Sequence, residues 1–343
     1  MEISGGIKKI YKELDCGESG TTLRFLMPLA AVLSDEITFY GRGRLMSRPL
    51  EDYINLFSKH SVSCNLENGI LRLKGTLTPG RYQIRGDVSS QYVSGLLLAL
   101  PLLESDSVIE LTTELESSGY VDLTLDMMQK FGVIVERETD RFIVRGKSRY
   151  TSANIEIEGD YSQAAFFMVA GALGCDCGIT GLKIDSLQGD RMILDILKKC
   201  GAKVSLKDGE VKVVGQKLTG QNIDVSNIPD LVPPLAAFFS FCEGKSILYN
   251  ASRLRYKESD RLMSISKAMN SLGADVRVDG DSLVIIGTKS IHGGTMDSFG
   301  DHRIAMMGAV AAVRCENTVS ILRSESVNKS YPNFWSDFGK EVK

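Results

Sequence analysis

The 343-residue chain lacks most of the signatures that would narrow its chemistry at once. Its seven cysteines, at 16, 64, 175, 177, 200, 242 and 315, include no Cys-x-x-Cys pair. The odd count argues against a complete disulfide framework, and the spacing of Cys175 and Cys177 is unlike common zinc sites. They read as free, mostly buried thiols of a reducing compartment, which makes the cytoplasm the expected location. No stretch approaches twenty uninterrupted apolar residues, so no transmembrane helix is expected. Residues 1–6 carry no signal-like apolar run. There is no basic excess: 40 Lys and Arg stand against 43 Asp and Glu, which disfavours a nucleic-acid or membrane-surface footprint. A local cation cluster for a small anionic substrate remains compatible with that balance. The one adjacent proline pair, Pro233-Pro234, falls at a helix start and is not a linker.

What the chain does have is a period. Polar turns carrying an acid, each followed by an apolar helix, recur with the acids at 18, 87, 160, 230 and 301, spaced by 69, 73, 70 and 71. Glycines that end hairpins recur at 75, 146, 215 and 287, spaced by 71, 69 and 72. A fixed period makes each module one supersecondary unit. In the module ending at Gly215, residues 190–200 place Met192, Ile193, Ile196 and Leu197 on one helical face, and Gly201 stops the helix. A strand over 203–206, a turn at Asp208-Gly209 and a return strand over 211–214 follow. The modules ending at Gly146 and Gly287 repeat this, whereas the earliest has His60 where the others have glycine. The second helix of each module, as in 92–102, 164–173 and 304–313, is apolar on all sides and is expected to be buried. Together these give α/β layering. A strand over 154–158 marks the expected boundary between domains 1–157 and 158–343. Five polar turns against four hairpins suggest a chain that starts inside an array.

The densest charged segment, Arg253 to Arg261, contains Arg253, Arg255, Lys257, Glu258, Asp260 and Arg261 and leads into an amphipathic helix. Capping by Ser259 or Asp260 is one account. It leaves unexplained four cations at a helix start, where the dipole disfavours them and an anionic ligand would favour them. A Lys-Glu pair in such a cluster can serve as acid or base. In Asp301-His302-Arg303, either Asp301 caps and Arg303 pairs locally, or Arg303 binds a phosphate or carboxylate. Ser89-Ser90-Gln91 offers more polar groups than one cap needs. Gly20-Thr21 resembles part of a phosphate-cradling turn, but no Walker lysine follows. Arg24, Arg48 and Lys329 taken singly read as surface charges, and His60 and His292 suggest no role.

In order along the chain, Gly20-Thr21 with Arg24, Arg48-Pro49, Ser89-Ser90-Gln91, Ile228-Pro229-Asp230, Lys257 to Arg261 and Asp301-His302-Arg303 resemble the motifs of the 5-enolpyruvylshikimate-3-phosphate (EPSP) synthase family. The resemblance covers the whole chain. It implies an α/β fold of the two-domain enolpyruvyl transferase type, an inside-out α/β barrel of βαβαββ units whose helix N-termini face an interdomain cleft. On that comparison domain 1–157 holds about two of three units, so the N-terminal domain is incomplete, and domain 158–343 holds three.

The implied reaction transfers the enolpyruvyl group of phosphoenolpyruvate to the 5-hydroxyl of shikimate 3-phosphate in aromatic amino acid biosynthesis, with no metal or organic cofactor. By resemblance, Ser89, Ser90, Gln91, Ser117, Tyr120, Asp230, Arg253 and Lys257 hold shikimate 3-phosphate, although many relatives have Asn at the position of Arg253. Gly20, Arg48, Gln91, Arg261, Arg303 and Lys329 hold phosphoenolpyruvate. Asp230 takes the 5-hydroxyl proton, Glu258 is the second acid/base near the enol carbon, and Arg24 supports the Gly20 turn. The family's first module carries a Lys-Ser pair and an Arg that contact both substrates. The resemblance therefore implies little activity for the isolated chain, which is either a fragment or an otherwise monomeric enzyme whose missing module a complementing N-terminal chain supplies. The alternatives are the sister enzyme acting on UDP-N-acetylglucosamine, which usually has Cys at the position of Gly43, and an inactive binding protein of the same fold.

Overall fold

The computed structural model describes residues 2–3 and 12–341, which fall into two compact units, 1–156 and 157–343. In the first unit, β1 (Glu13–Asp15) leads through helix α1 (Gly20–Leu33) to β2 (Glu36–Tyr40). Helix α2 (Glu51–Ser58) then precedes a hairpin of β3 (Val62–Glu67) and β4 (Ile70–Gly75). The sheet order is β1-β2-β4-β3, with β1 and β2 parallel and the other pairs antiparallel. The chain then repeats the path. Strand β5 (Arg81–Ile84), helix α3 (Ser90–Ala99), β6 (Ser107–Leu111), helix α4 (Ser118–Lys130), β7 (Val135–Arg137) and β8 (Arg141–Val144) form a sheet of order β5-β6-β8-β7.

The second unit opens with helix α5 (Tyr161–Leu173), β9 (Gly178–Ile179), helix α6 (Ile193–Lys199), β10 (Ala202–Lys207) and β11 (Glu210–Gly215), a sheet of order β10-β11-β9. A complete copy follows: β12 (Asn222–Asp224), helix α7 (Val232–Phe239), β13 (Lys245–Tyr249), helix α8 (Arg261–Ser271), β14 (Asp275–Asp279) and β15 (Ser282–Ile286), ordered β12-β13-β15-β14. Strand β16 (Gly294–Asp297), helix α9 (His302–Ala312) and β17 (Val319–Leu322) form a parallel pair, and α10 (Phe334–Glu341) ends the described chain.

Two kinds of helix do different work. All eight residues of α7 are buried, as are His302 to Ala311 of α9, and α5 leaves only Gln163 and Phe167 partly exposed. These three helices pack on one another at the centre of the second unit, as α1 and α3 do in the first. Each large side chain buried there, such as Phe238, contributes about 1.5–3 kcal/mol through removal of apolar surface from water. Helices α2, α6 and α8 keep a polar face outward and pack against β3, β10 and β14, whereas α4 packs against α3.

The hairpin-ending glycines are fixed by space. A Cβ on Gly215 would lie 2.0 Å from the Ala172 carbonyl oxygen, and one on Gly287 would lie 1.7 Å from that of Cys242. The returning strand therefore meets the end of the buried helix backbone to backbone. In the earliest module the left-handed break falls on Ser61 (φ 66°), one residue beyond His60. His60 instead stacks on Tyr82 with ring centroids 3.7 Å apart.

Two expectations need correction. Residues 154–158 form no strand: the backbone bond to the neighbouring segment is the Gly159 N–H donating to the Gly181 carbonyl, and Glu158 is held through its side chain by Ser186 and Gln188, so there is no ladder. Residues 190–200 are not one α-helix. A 3₁₀ turn over Gly189–Met192 precedes α6; Ile193, Ile196 and Leu197 are buried as expected, whereas Met192 is exposed. Cys16, Cys177, Cys200 and Cys242 are buried, the remaining three are half-buried, and all seven are free. Among the described residues, no helix is long and apolar enough to cross a membrane.

Candidate active site

In the first unit the polar groups gather where α1 and α3 begin. Ser19 caps α1 by accepting from the Thr22 N–H, and Ser89 caps α3 by accepting from the Gln91 N–H. The Gln91 amide donates to Thr21 Oγ1 at 2.7 Å, and its Oε1 accepts from Arg24 Nη1 at 2.8 Å. Thr21 and Gln91 stand 70 residues apart, so the contact joins the same position of successive modules. Arg24 is 5 % exposed and lies over the Tyr92 ring, 5.3 Å from its centroid. These contacts tie Arg24 to the start of α3. A Cβ on Gly20 would sit 2.8 Å from Arg48 Nη1 and 3.0 Å from Arg24 Nη1, so two guanidinium groups come down on the helix start. Two cations at a positive helix end favour an anion there. Ser90 is buried within the first turn of α3. The Glu116 N–H bonds to the Gly86 carbonyl, which ties the turn carrying Ser117 to the one that leads into α3. Ser117 is buried and left-handed (φ 55°), and Tyr120 lies in the first turn of α4.

In the second unit the centre is Arg261, whose side chain is 1 % exposed. Its Nε donates to Asp301 Oδ2 at 2.8 Å, Nη1 to Asp230 Oδ1 at 2.8 Å, and Nη2 to Glu258 Oε2 at 2.6 Å and Asp301 Oδ1 at 3.3 Å. The guanidinium thus spans both candidate acid/base residues. Asp230 sits in the 3₁₀ turn Pro229–Leu231 that opens α7. It also meets Lys257 Nζ at 3.4 Å and, through Oδ2, Arg303 Nη2 at 3.4 Å. Burial opposes its charge, but Arg303, Lys257 and Arg261 outweigh that and hold the carboxyl well below its usual range. Burial pushes the Lys257 ammonium down to about 8, although Asp230 pulls the other way. His302 is pushed down to about 4, first by burial and then by Arg303 and Arg261, so it is neutral at pH 7.

Asp301 caps α9 by accepting from the Arg303 N–H while anchoring Arg261, and Ser259 Oγ is a third partner, donating to it at 3.1 Å. Lys329 donates to the Gly300 carbonyl at 2.8 Å, at the edge of the same turn. Arg253 lies in the turn Ser252–Tyr256 and reaches the Ser226 carbonyl at 3.4 Å. Asp260, not Ser259, is the N-cap of α8. Of the four cations in that segment, Arg255 faces away, bonded to Asp281 and the Gly280 carbonyl.

The structure therefore brings Asp230, Lys257, Glu258, Arg261 and Arg303 together in one cluster, and Gly20, Arg24, Arg48 and Gln91 in another. Sequence reasoning missed Ser162, which accepts from Arg303, and the anchoring role of Asp301. The period held a signal for Ser162, since residues 160–162 and 301–303 are matched turns 141 positions apart. Among the described residues no group of His, Cys, Asp and Glu has the arrangement to hold a metal ion.

Comparison with known proteins agrees with this chemistry. The family model described as EPSP synthase (3-phosphoshikimate 1-carboxyvinyltransferase) matches residues 3–338. The 3-phosphoshikimate 1-carboxyvinyltransferase of Clostridium kluyveri is 50 % identical, over 98 % of this chain and 80 % of that protein. That of Clostridium novyi is 46 % identical, over 95 % of this chain and 76 % of that protein. The solved EPSP synthase of Acinetobacter baumannii superposes with a TM-score of 0.77 at 26 % identity, covering 98 % of this chain and 80 % of that one. With matches of this extent, and with acids and cations clustered as described, the chain belongs to the EPSP synthase family.

Proposed function

We propose that the chain catalyses transfer of the enolpyruvyl group of phosphoenolpyruvate to the 5-hydroxyl of shikimate 3-phosphate, releasing phosphate. The observation that carries this reading is the single guanidinium of Arg261, bonded at once to Asp230 and Glu258. Asp230, held ionised among cations, accepts the proton of the attacking hydroxyl. Glu258 delivers a proton to the methylene carbon of phosphoenolpyruvate. Carbon–oxygen bond formation then gives a tetrahedral adduct, and loss of phosphate and a proton gives the enolpyruvyl ether. Arg303, Lys329, Arg261, Arg48, Gly20 and Gln91 form the contacts to phosphoenolpyruvate. Lys257, Arg253, Ser89, Ser90, Gln91, Ser117 and Tyr120 take shikimate 3-phosphate, with Asp230 at its 5-hydroxyl. Fixed cations aimed at charge that develops during reaction lower the barrier without reorganisation.

The relatives extend beyond this chain by about a fifth of their length, and we include a complementing N-terminal polypeptide as a partner of an otherwise monomeric enzyme. The test measures phosphate release from both substrates, with and without a polypeptide covering the N-terminal fifth of the C. kluyveri relative. Release that requires shikimate 3-phosphate is expected. Release supported by UDP-N-acetylglucosamine and not by shikimate 3-phosphate would overturn the reading.

A further inference from the structure

Arg303 faces two rivals. Its Nη2 lies 3.0 Å from Ser162 Oγ and 3.4 Å from Asp230 Oδ2, and its Nη1 lies 3.4 Å from the Ser162 carbonyl. Ser162 is 5 % exposed and belongs to the first turn of α5, whereas Arg303 belongs to the first turn of α9. The Ser162 hydroxyl proton is committed to Asp160 Oδ1 at 2.7 Å, which leaves the oxygen as an acceptor toward the guanidinium. Asp160 is itself fixed as the N-cap of α5, accepting from the Ser162 and Gln163 N–H groups. The acceptor thus rests on a rigid helix start and is oriented by a carboxylate.

We infer that Ser162 is a positioning residue: it holds the Arg303 guanidinium off the Asp230 carboxylate and in the orientation in which it meets an incoming anion. A charged pair buried at this depth gains by closing to direct contact, since water cannot compete for either partner. Without Ser162, Arg303 closes on Asp230. The carboxylate then becomes a poorer base and the cation a poorer anion ligand. The other charged groups around Asp230, Lys257 and Arg261 with the Arg261 partners Glu258 and Asp301, come from different turns and do not touch Ser162 in this arrangement. The proposal rests on the reading of Arg303 as a phosphoenolpyruvate ligand.

The experiment compares the full chain with its Ser162→Ala, Ser162→Thr and Arg303→Ala variants, each with the polypeptide covering the N-terminal fifth of the C. kluyveri relative present. Calorimetry gives the affinity for phosphoenolpyruvate, in the presence of shikimate 3-phosphate, and for shikimate 3-phosphate alone. A crystal structure of Ser162→Ala gives the Arg303–Asp230 separation. Ser162→Ala is expected to weaken phosphoenolpyruvate binding about tenfold, the scale of one charge-assisted hydrogen bond, and shikimate 3-phosphate binding by less. The 3.4 Å separation closes to hydrogen-bond length, and Ser162→Thr, which keeps the hydroxyl, restores binding. Unchanged phosphoenolpyruvate affinity in Ser162→Ala, alongside loss in Arg303→Ala, overturns the positioning role and leaves the ligand role standing. Equal weakening for both substrates, or an unmoved Arg303 in the crystal, also overturns it. No binding by the unsubstituted chain, or full binding by Arg303→Ala, overturns the reading of Arg303 itself and the positioning role with it.

Discussion

Removing the Arg261 guanidinium should be among the most disruptive single changes in the second unit. Replacement by Met keeps much of the apolar stem but leaves Asp230, Glu258 and Asp301 facing one another without the cation that joins them. The three carboxylate side chains are 15 %, 20 % and 0 % exposed, so water cannot replace the lost donors. Breaking a buried ion pair by removing one partner costs about 3–5 kcal/mol. For a unit of this size each kcal/mol lowers the midpoint by roughly 2–4 °C, so a fall of about 6–20 °C is expected at pH 7.5. The pH dependence carries the sign. Asp230 is depressed in the native protein, so its contribution is present above the unfolded carboxylate value and is lost as pH falls through the native one. In Arg261→Met that contribution shrinks, and protonation relieves repulsion within the cluster. The gap between variant and parent should therefore narrow from pH 7.5 to about pH 3, below the unfolded carboxylate value. Denaturant unfolding of the full chain at both values measures it. A loss below about 1 kcal/mol at pH 7.5, or a gap that widens in acid, would refute the assignment of Arg261 as the keystone of the cluster.

Gly287→Ala places a Cβ 1.7 Å from the Cys242 carbonyl oxygen and should cost about 1–3 kcal/mol in thermal unfolding. Gly339→Ala, where nothing lies within 4 Å, should be neutral or stabilise helix α10 by about 0.5–1 kcal/mol. With burial pushing Lys257 down to about 8, affinity for shikimate 3-phosphate should decline as pH rises through that value. Lys257→Arg should bind with no such decline between pH 7 and 9.5, and calorimetry across that range checks both.

Much of the architecture was legible because it depends on local pattern repeated at a fixed interval. The turn at Asp208-Gly209 appears with both residues left-handed, at φ 53° and 77°, between strands one residue longer at each end than the pattern marked. Apolar-all-round segments became the buried helices α5, α7 and α9, since a helix with no polar face has nowhere else to go. The segment over 154–158 misled for the opposite reason: alternation marks a sequence able to pair, and pairing needs a partner strand that local pattern does not supply. Residues 189–192 wind as a 3₁₀ turn, so Met192 leaves the face that a 3.6-residue period assigns it, and it is exposed.

The candidate site divides in the same way. Motifs identified which side chains carry charge and roughly where each helix starts. They did not reveal that Arg261 would be enclosed by three acids, that Arg255 would turn away, or that Ser162 would stand against Arg303 from 141 residues upstream. The repeat determined the modules, their turns and the chemical character of each helix start, because hydrophobic period and turn residues act over a few neighbours. Only the tertiary structure decided which acid meets which cation. That choice depends on how matched helix N-termini pack at the centre of each unit, where low water content makes every pairing, and every missing partner, costly.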